Sequence, residues 1–440
     1  MGSAPAQKVV ALVLAGGRVD DLSVLTLLRP KSAMPFGGLY RVIDFPLSSL
    51  ARSGISRIGV ISQYSGDSLI DHVGVGEAWD LVGRGRGVKM LPPRVRIDGR
   101  GWYRGTADAV LQNLNFLRDH AAEQALIVSG DHVYSMDYRE LLRAHEETSA
   151  DLTIAFTPVG EGGARRFGLA RLADDGRVLD YREKPERAVH EWASMTVYLF
   201  RTQALVRCLQ ECVVGGRGTD FGRDVIPRML ADYRVFGYRF PGEWRYTRTV
   251  DEFYRATLEV LDPDGGIDPE AWGVRTNLLD RSTGDRTPSQ FLATAEVRDA
   301  LVPDGCVIAG RVERSVLSPG VHVAEGAVVR DSVLFHDAVV GPGASVIRCI
   351  VDKDVTFGAG SVVGEGKAGS ANRASRVGLS CGVTLIGKTA TIPQGARIGT
   401  NCEIYPQVFE PDFPPGSVVA DGSTIRAGHG VADQFEFPGM

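Results

Sequence analysis

The stretch LSPGVHVAEGAVVRDSVLFHDAVVGPGASVIRCIVDKDVTFGAGSVV, which runs from Leu317 to Val363, carries aliphatic or aromatic residues spaced by six. Glycine and proline cluster between these positions, as in SPG, GPG and GAG. A period of six fits neither an α-helix nor an alternating strand, but it is typical of a parallel β-helix that buries one side chain on each short face. Four runs have this spacing: Leu317, Val323 and Val329; Leu334, Val340 and Val346; Val351, Phe357 and Val363; and Ile386, Ile392, Ile398 and Ile404.

A β-helix of this kind leaves sheet edges exposed at its ends and a flat side along its length. Covering such surfaces usually requires another domain or another subunit, so we expect an oligomer. Many hexapeptide-repeat domains are themselves acyltransferases, which need a catalytic histidine in a coil loop. His336 in the segment LFHDAVV is available for that role. A lone histidine in a turn is more often simply solvated.

The first 260 residues have a different pattern. Short runs rich in valine and isoleucine, such as KVVALVLAGG, ISRIGVISQY and ALIVSGDHVY, alternate with longer helix-like segments. This alternation predicts an α/β domain with a mainly parallel mixed sheet. A segment dense in aspartate, glycine and proline follows it. We therefore expect an α/β domain over residues 1–262, a linker over 263–300 and a β-helix domain over 301–440.

The composition excludes several classes of protein. The chain of 440 residues is 44% hydrophobic and 23% charged, so large cores are expected. A formal net charge of −5 gives no electrostatic footprint for nucleic acid. The six cysteines form no CxxC pair, which indicates reduced thiols. Since the sequence contains no signal-peptide pattern and no apolar run of roughly 20 residues, we expect a cytoplasmic protein that contacts no membrane.

Two glycine-containing stretches have the character of nucleotide-binding loops. Gly16 and Gly17 follow the first apolar run, and glycines there let backbone N–H groups approach a phosphate. An ordinary tight turn is the alternative. The small residues that begin at Gly105 and Thr106 leave room for a base or a ribose. Asp108 then serves either as an N-terminal residue of a helix or as a ligand contact.

Three charged residues have the chemistry that phosphate substrates need. Asp131 follows the strand-like run ALIVSG, where its carboxylate has the right type and position to hold a divalent metal between phosphates. Its alternative role is the N-cap of the next helix. Lys184 of the triplet EKP is a point charge suited to a phosphate monoester. Glu183 beside it is suited to accept a hydrogen bond from a sugar hydroxyl.

Taken together, several stretches resemble the bacterial glucose-1-phosphate adenylyltransferase family, also called ADP-glucose pyrophosphorylases. The resemblance covers nearly the whole chain and implies a Rossmann-like nucleotidyltransferase domain followed by a left-handed parallel β-helix domain. The stretches that carry it are LAGG (14–17), RPKSAMPFGGLYRVIDFPLSS (29–49), WYRGTADAVLQN (102–113), SGDHVYSMDY (129–138), FG (167–168), EKP (183–185), ASM (193–195) and DFGRDVIP (220–227).

The resemblance implies that ATP and glucose 1-phosphate react to ADP-glucose and pyrophosphate, with Mg²⁺ as the metal, in glycogen (α-glucan) biosynthesis. It implies catalytic roles for Asp131 and Lys184, with Asp131 also as the metal ligand. It implies nucleotide binding by Leu14, Ala15, Gly16, Gly17, Gln63, Gly105, Thr106 and Asp108. It implies sugar-phosphate binding by Tyr103, Gly168, Glu183, Lys184 and Ser194.

The resemblance also implies regulation and assembly. Lys31 and Arg41 match the basic positions that bind phosphorylated metabolite effectors in this family. A solvated pair of charges is the alternative, above all for Arg41. The expected assembly is a homotetramer, or a hetero-oligomer with an active homologue.

The chain departs from the family pattern at three places. The family loop GGxGxRLxPLT has an arginine that steadies the leaving pyrophosphate, and this chain has Asp21 there, with Val19 in place of a glycine. The family stretch WRDVGT, whose aspartate is expected to share the metal, reads WRYTRT here, with Tyr246 in place of the carboxylate. Thr196 follows ASM where the family usually has glycine. Arg18 is a candidate to compensate for the lost cation.

These departures leave two hypotheses from different classes. The first is an active sugar-1-phosphate nucleotidyltransferase with a modified metal site. The second is a catalytically weak or silent regulatory subunit that binds sugar phosphate and effectors and modulates an active homologue. The sugar-phosphate residues are compatible with both hypotheses. The loss of two catalytic charges points to a different role, but most of the site is intact, so the nucleotidyltransferase is the expected function and the regulatory subunit is the alternative.

Overall fold

A computed structural model describes residues 9–17, 19–64, 66–93, 101–159, 165–187, 189–280, 283–366 and 369–428. Arg18, the candidate for a compensating cation, lies outside these residues. The chain divides into two compact units. The first comprises the described residues of Met1–Gly17, Ile43–Gly66 and Val73–Trp244, and the second those of Arg18–Val42, Asp67–His72 and Arg245–Met440.

The elements up to residue 260 alternate between strands and helices, as the sequence predicts. The strands are β1 (Val9–Leu14), β2 (Pro35–Phe36), β3 (Tyr40–Arg41), β4 (Arg57–Ile61), β5 (Gly87–Leu91), β6 (Gln124–Ser129), β7 (Val133–Tyr134), β8 (Leu152–Pro158), β9 (Gly168–Leu172), β10 (Val178–Glu183), β11 (Trp192–Arg201), β12 (Val235–Arg239) and β13 (Trp244–Arg245). The α-helices are α1 (Asp44–Arg52), α2 (Asp67–Val73), α3 (Thr106–Gln112), α4 (Leu114–Asp119), α5 (Tyr138–Glu147), α6 (Thr202–Leu209), α7 (Ile226–Asp232) and α8 (Val250–Glu259). Short 3₁₀ segments include Asp20–Thr26 and Lys31–Ala33, and short π-helical segments are Gln210–Val214 and Phe221–Val225.

The remaining strands are short and regularly spaced. They are β14 (Gln290–Phe291), β15 (Glu296–Leu301), β16 (Val307–Ile308), β17 (Arg311–Leu317), β18 (His322–Val323), β19 (Val328–Arg330), β20 (Val333–Leu334), β21 (Val339–Val340), β22 (Ser345–Ile347), β23 (Cys349–Val351), β24 (Thr356–Phe357), β25 (Val362–Val363), β26 (Thr384–Ile386), β27 (Thr391–Ile392), β28 (Arg397–Ile398), β29 (Glu403–Ile404), β30 (Val418–Val419) and β31 (Thr424–Ile425). β14 and all but the last residue of β15 fall within residues 263–300, which the sequence assigns to the linker.

The first unit is built on a mixed nine-stranded sheet in the order β10-β9-β11-β6-β1-β4-β5, with β8 pairing β11 and β12. The strands β6, β1, β4 and β5 pair in parallel, whereas β11 runs antiparallel to β6, β8 and β9. β1 is apolar along its length because it lies between two parallel neighbours, and Val10 to Val13 are fully buried. The predicted α/β architecture with a mixed sheet is confirmed.

The second unit contains the predicted β-helix. Its coils stack in parallel, and residues 323, 340 and 357 pair successively, 17 residues apart at each step. Leu317 pairs with Leu334, and Leu334 pairs with Val351 on the next coil. All the hexad residues are buried, most with no exposed area. Each buried side chain therefore packs on its equivalent one coil away, which is why the period is visible in the sequence.

No helix within the described ranges combines the length and the apolar character needed to cross a bilayer. All six cysteines are free thiols, and five of them are buried. This agrees with the expectation that the chain forms no disulfide framework.

Candidate active site

The carboxyl ends of three parallel strands of the first unit meet at one edge of the sheet. Leu14 of β1 is in register with Ile61 of β4 and Ser129 of β6. Beyond the strand ends, the N–H of Ala15 donates to the carbonyl of Ile61 (2.9 Å) and that of Gly130 to the carbonyl of Leu14 (2.9 Å). Ligands of such sheets bind at this edge. It brings together the predicted glycine loop and the loop of Asp131.

Gly16 is required by a close approach between two chain segments. A Cβ atom on Gly16 would lie 2.4 Å from the backbone nitrogen of Gln63. The carbonyl of Gly16 accepts from the N–H of Tyr64 (3.2 Å), and Gly17 is exposed. Neither Gly16 nor Gly17 has a positive φ angle. The backbone at these two positions therefore does not adopt the left-handed conformation that requires glycine. The loop instead presents backbone at the sheet edge, as a phosphate-binding loop must.

Gln63 and Tyr103 are linked directly. The Oε1 atom of Gln63 accepts from the backbone N–H of Tyr103 (2.5 Å). The Tyr103 hydroxyl donates to the carbonyl of Leu91 (3.2 Å) and accepts from Nδ2 of Asn113 (3.0 Å). The structure therefore brings a predicted nucleotide-binding residue beside a predicted sugar-binding residue. It also fixes the orientation of the Tyr103 ring.

Asp108 holds the turn before α3. Its fully buried carboxylate accepts from the backbone N–H of Arg104 (3.0 Å), the Arg104 guanidinium (2.9 Å) and Nε2 of Gln112 (2.8 Å). Burial by itself raises the pKa of Asp108, but these hydrogen bonds outweigh it and bring the pKa below its usual value. Of the two roles that the sequence left open, these contacts fit the helix N-terminal one.

Gly105 and Thr106 connect this turn to the segment at residues 219–221. The carbonyl of Thr219 accepts from the N–H groups of Ala107 (2.9 Å) and Asp108 (3.2 Å). The Thr106 hydroxyl donates to Oδ2 of Asp220 (3.0 Å). The small residues of the stretch are thus packed against backbone.

Asp131 lies directly beyond β6 with its side chain 25% exposed. Oδ1 accepts a hydrogen bond from the hydroxyl of Ser129 and lies 3.4 Å from Nε2 of His132. The N-cap of the next helix, α5, is Asp137, which accepts from the N–H of Arg139 (3.0 Å). The alternative role of Asp131 as an N-cap is therefore wrong. In the described ranges no cluster of three or more His, Cys, Asp or Glu forms a preformed metal cage.

An aromatic wall beside Asp131 was not found from the sequence. The Trp244 ring packs edge-on against His132 (5.3 Å between centroids) and against Phe167 (5.1 Å). The carbonyl of Phe167 accepts from the N–H of Lys184 (3.0 Å). This wall connects the predicted metal ligand to the predicted phosphate-binding lysine. The tryptophan of the WRYTRT stretch was its only sequence signal.

Glu183 is held in a partly buried position at the end of β10. Tyr181 donates its hydroxyl to Oε2 of Glu183 (3.1 Å), and a Cβ atom on Gly168 would lie 1.8 Å from that hydroxyl oxygen. Glycine at position 168 thus makes room for the Tyr181–Glu183 pair. Burial raises the pKa of Glu183, the Lys184 charge lowers it, and the nearby Asp220 raises it further, so the net pKa lies above its usual value.

Lys184 and Ser194 complete the predicted sugar-phosphate residues. The Lys184 ammonium lies 3.8 Å from Oε1 of Glu183 and is 45% exposed, so it remains accessible to a ligand. Ser194 is buried in β11. Since Asp220 bonds to Thr106 and also acts on Glu183, the nucleotide-binding and sugar-binding predictions lie around one continuous region of the first unit.

Thr196 lies in a bulge of β11, where the register against β8 shifts between Ser194 and Tyr198. Its φ angle is +56°, in the left-handed region that disfavours β-branched residues by roughly 1–2 kcal/mol. We expect Thr196→Gly to raise the free energy of unfolding by about 0.5–1 kcal/mol, net of the greater unfolded-state entropy of glycine. Urea denaturation provides the measurement. Thr157→Gly, at a β8 position without a positive φ angle, should destabilise instead.

The predicted regulator-binding residues lie in the second unit and are buried. Lys31 is 1% and Arg41 5% exposed, so the alternative of a solvated pair is wrong. The Arg41 guanidinium donates to Oδ2 of Asp280 (2.6 Å), which also lies 3.0 Å from Nδ1 of His72. The expectation that His336 is solvated is also wrong, because it is 2% exposed.

Comparison with known proteins gives matches over both parts of the chain. Residues 10–263 match the nucleotidyl transferase family, and residues 288–386 match the GlmU-like C-terminal hexapeptide family. A glucose-1-phosphate adenylyltransferase of Thermomicrobium roseum is 44% identical over 95% of this chain and 97% of its own length. The enzyme of the same name from Acetivibrio thermocellus is 33% identical over 96% of this chain and 99% of its own. That from Bacillus mycoides is 38% identical over 81% of this chain and 95% of its own.

The matches extend over the Gly16 loop, the Asp131 loop, the Glu183–Lys184 pair and the β-helix together. An acyltransferase built on the hexapeptide repeat alone does not account for the first 263 residues. The chain is a nucleotidyltransferase, and it belongs to the glucose-1-phosphate adenylyltransferase family.

Proposed function

We propose that this protein transfers the adenylyl group of ATP to glucose 1-phosphate and releases pyrophosphate, which yields ADP-glucose for glycogen (α-glucan) synthesis. The observation that carries the proposal is the continuous arrangement of the Gly16 loop, Asp131 and the Glu183–Lys184 pair in one unit. Release of pyrophosphate from ATP and glucose 1-phosphate tests it. Omission of the sugar phosphate and replacement of ATP by other nucleoside triphosphates are the controls.

The reaction needs positioning more than covalent chemistry. A phosphate oxygen of glucose 1-phosphate forms a bond to the α-phosphorus of ATP while the bond from that phosphorus to the β-phosphate oxygen breaks. Lys184 would bind the phosphate of the sugar, and Glu183 would accept a hydrogen bond from a sugar hydroxyl. The N–H groups of the Gly16 loop would bind nucleotide phosphates. The aromatic wall of His132, Trp244 and Phe167 would exclude water from the side of the site between Asp131 and Lys184.

Asp131 can supply one carboxylate ligand to a Mg²⁺ ion. Mg²⁺ in nucleotide sites is commonly bound through one or two carboxylates plus substrate phosphates. The partly exposed carboxylate of Asp131 offers one such group, and Tyr246 stands where the family has a second. We propose that Asp131 holds the metal together with phosphate oxygens. Bound there, the ion would neutralise charge that develops on the phosphates.

Lys184→Ala should weaken the binding of glucose 1-phosphate by about 1.5–3 kcal/mol, the range for a hydrogen bond to a charged group. The reason is that Lys184 is the exposed cation of the pair, whereas Glu183 is largely buried. Calorimetry with glucose 1-phosphate measures the effect. Arg182→Ala is the control, since Arg182 is an exposed cation two residues away that pairs with Asp180 (3.2 Å). Equal affinity of wild type and Lys184→Ala would assign Lys184 to the surface.

We also propose that phosphorylated metabolites regulate the protein through Lys31 and Arg41. The support is a cluster of buried charges in the second unit. Burial, with the nearby charges of Arg41 and Arg29, lowers the pKa of Lys353 to about 7. Neither ring nitrogen of His336 has a hydrogen-bond partner among the described residues. A phosphate would stabilise the charged forms of Arg41, Arg29 and Lys353. Activation or inhibition of pyrophosphate release by phosphorylated sugars and acids, lost in Arg41→Ala, tests the proposal.

The second candidate function is that of a weakly catalytic or silent subunit. It is favoured by Asp21 and Tyr246, which replace two charges of the family pattern. Such a subunit would bind glucose 1-phosphate without turnover and would change the kinetics of an active homologue. The same assay of the purified chain separates the two functions, since only the first gives turnover without a second protein.

We propose that the chain works as an oligomer, a homotetramer or a hetero-oligomer with an active homologue, in the cytoplasm. Exposed apolar side chains before and at the first strand of the β-helix, β14, support association. Among them are Leu279 (80% exposed) and Phe291 (56%). The free cysteines are compatible with a reducing compartment. Sedimentation of the purified protein tests the oligomeric state.

A further inference from the structure

The second unit contains a cleft of about 650 Å³ that shares no residue with the candidate active site. Three segments of that unit line it: residues 37–40 in the turn between β2 and β3, residues 260–272 directly after α8, and residues 301–303 at the end of β15. Sites for small molecules have volumes of about 300–1,000 Å³. The cleft is therefore large enough for a small metabolite.

The walls of this cleft are largely apolar. Ile267 is 2% exposed, and the partly exposed side chains of Val260 and Leu301 also line the cleft. Tyr40 and Trp272 add two partly exposed aromatic side chains. The face of an aromatic ring carries a negative partial charge that attracts cations, above all where water is excluded. These walls suit an apolar ligand and tolerate a positive charge on it.

The charged residues of the cleft all have the same sign. Asp262, Asp268 and Glu270 line it, and none of the described residues that line it is a lysine, arginine or histidine. All three carboxylates are exposed, and within the described ranges none of them forms an ion pair. They are not gathered closely enough to hold a metal ion, since the described part of the chain contains no such group of three. The complementary ligand is therefore an organic cation.

Backbone contacts fix the shape of the cleft. The N–H of Trp272 donates to the carbonyl of Asp268 (2.9 Å), and Oδ1 of Asp268 accepts from the N–H of Ala271 (2.9 Å). In the turn between β2 and β3, Gly38 has a φ angle of +81°, and a Cβ atom there would lie 2.8 Å from the carbonyl oxygen of Leu317. The turn thus packs directly on β17. Walls that are formed before a ligand arrives lower the entropy lost on binding.

We propose that this cleft is a binding site for a small organic cation, a protonated amine carried on an apolar body. The three carboxylates would attract the ammonium group, and the apolar and aromatic side chains would contact the body. The inference does not depend on the proposed adenylyl transfer. It also differs from the proposed regulation through Lys31 and Arg41, because those cations select ligands of the opposite charge.

The test uses the full chain and three probes that share a phenyl body but differ in charge. These are 2-phenylethylamine, which is protonated at neutral pH, the neutral 2-phenylethanol and the anionic 3-phenylpropionate. Calorimetry at low salt should give a Kd of about 1 mM or below for the ammonium probe. The alcohol should bind at least about 10-fold more weakly, the lower limit for a hydrogen bond to a charged group. Hydrogen exchange of the amides in residues 262–274 locates the site, since only the ammonium probe should slow it strongly.

Variants of the carboxylates test the charge without changing the shape of the cleft. Asp268→Asn keeps the acceptor for the N–H of Ala271, and Glu270→Gln has the same size as the wild-type side chain. Each should weaken binding of the ammonium probe by about 2- to 5-fold, as expected for exposed charges, and the combination with Asp262→Asn by about 10-fold or more. The affinity for 2-phenylethanol should not change in any of them, which shows that the walls are intact. Asp264→Asn is the matched control, because Asp264 is an exposed aspartate of the same segment that does not line the cleft.

Equal affinities for the three probes would overturn the inference, because the cleft would then select only an apolar body. Equal affinity for the ammonium probe in the triple variant and the wild type would overturn it as well. So would slower exchange confined to other segments of the chain, or a wild type that does not bind the ammonium probe.

Discussion

Arg29→Ala is expected to lower the free energy of unfolding of the β-helix unit by about 3–5 kcal/mol, the range for removal of one partner from a buried ion pair. The Arg29 guanidinium lies 2.8 Å from Oδ1 and 3.0 Å from Oδ2 of Asp352, and the two side chains are 5% and 2% exposed. Without Arg29 the carboxylate would remain buried with its principal counter-charge removed. The stability lost in Arg29→Ala reflects the uncompensated desolvation of the Asp352 carboxylate. This penalty is larger than the net free energy that the ion pair contributes to the native protein.

Hydrogen exchange at the amides of β23, which ends one residue before Asp352, gives the local free energy of opening. A local measurement is preferable because a chain of two units need not unfold in one step. Arg139→Ala is the control, since its pair with Asp137 (2.7 Å) is 65% and 40% exposed. That substitution should change stability by less than about 1 kcal/mol.

The double variant Arg29→Ala, Asp352→Asn separates pairing from packing. If the unpaired carboxylate is the main cause of the loss, the double variant should recover a large part of the stability that Arg29→Ala removes. If instead the loss is the same in both, the packing of the arginine stem is responsible. A loss below about 1 kcal/mol in Arg29→Ala would show that Lys353 compensates for the missing charge.

The β-helix could be predicted because the hydrophobic pattern that specifies it is local in the sequence and repeated in every coil. Leu334, Val340 and Val346 are each buried, as are their equivalents one coil away. The environment of each hexad residue is the same in every coil, so spacing alone reveals it. The strand ends of the first unit were predictable for a related reason. An apolar run that ends in glycine or aspartate places these residues at the functional edge of a parallel sheet.

The surroundings of the charged residues could not be predicted, because their partners are distant in sequence. Arg41 is bonded to Asp280, 239 residues away, and Arg29 to Asp352, 323 residues away. Local pattern suggests solvent for such side chains, and only the tertiary fold buries them. The wall that Trp244 makes with His132 and Phe167 was missed for the same reason.

The residue types at positions 21 and 246 were readable from the sequence, but their consequence was not. Asp21 alone suggests a repelled nucleotide and a silent subunit. In the structure the Nε atom of Arg248 donates to Oδ2 of Asp21 (2.8 Å), so the aspartate has a cationic partner 227 residues away in the chain. The residue types are thus visible in the sequence, whereas the ion pair between positions 21 and 248 becomes visible only in the fold.

Asp131→Asn is expected to lower kcat for pyrophosphate release by about 10³-fold, because it removes the carboxylate that we propose as the metal ligand. Asparagine has nearly the same shape and keeps an acceptor for the hydroxyl of Ser129, so folding should be retained. Turnover as a function of Mg²⁺ concentration is the measurement. The variant should require more Mg²⁺ for half-maximal activity, whereas its affinity for glucose 1-phosphate without metal should not change.

Asp137→Asn is the matched control for this prediction. Asp137 lies six residues further along, is a carboxylate of the same type and caps α5 by accepting from Arg139. Asparagine is also a good N-cap, so this variant should change both stability and kcat little. Equal turnover of Asp131→Asn and the wild type would show that the metal is held by other groups. If the wild type itself has no turnover, Asp131→Asn should still weaken Mg²⁺-dependent pyrophosphate binding, because a silent subunit that retains Asp131 retains its metal ligand.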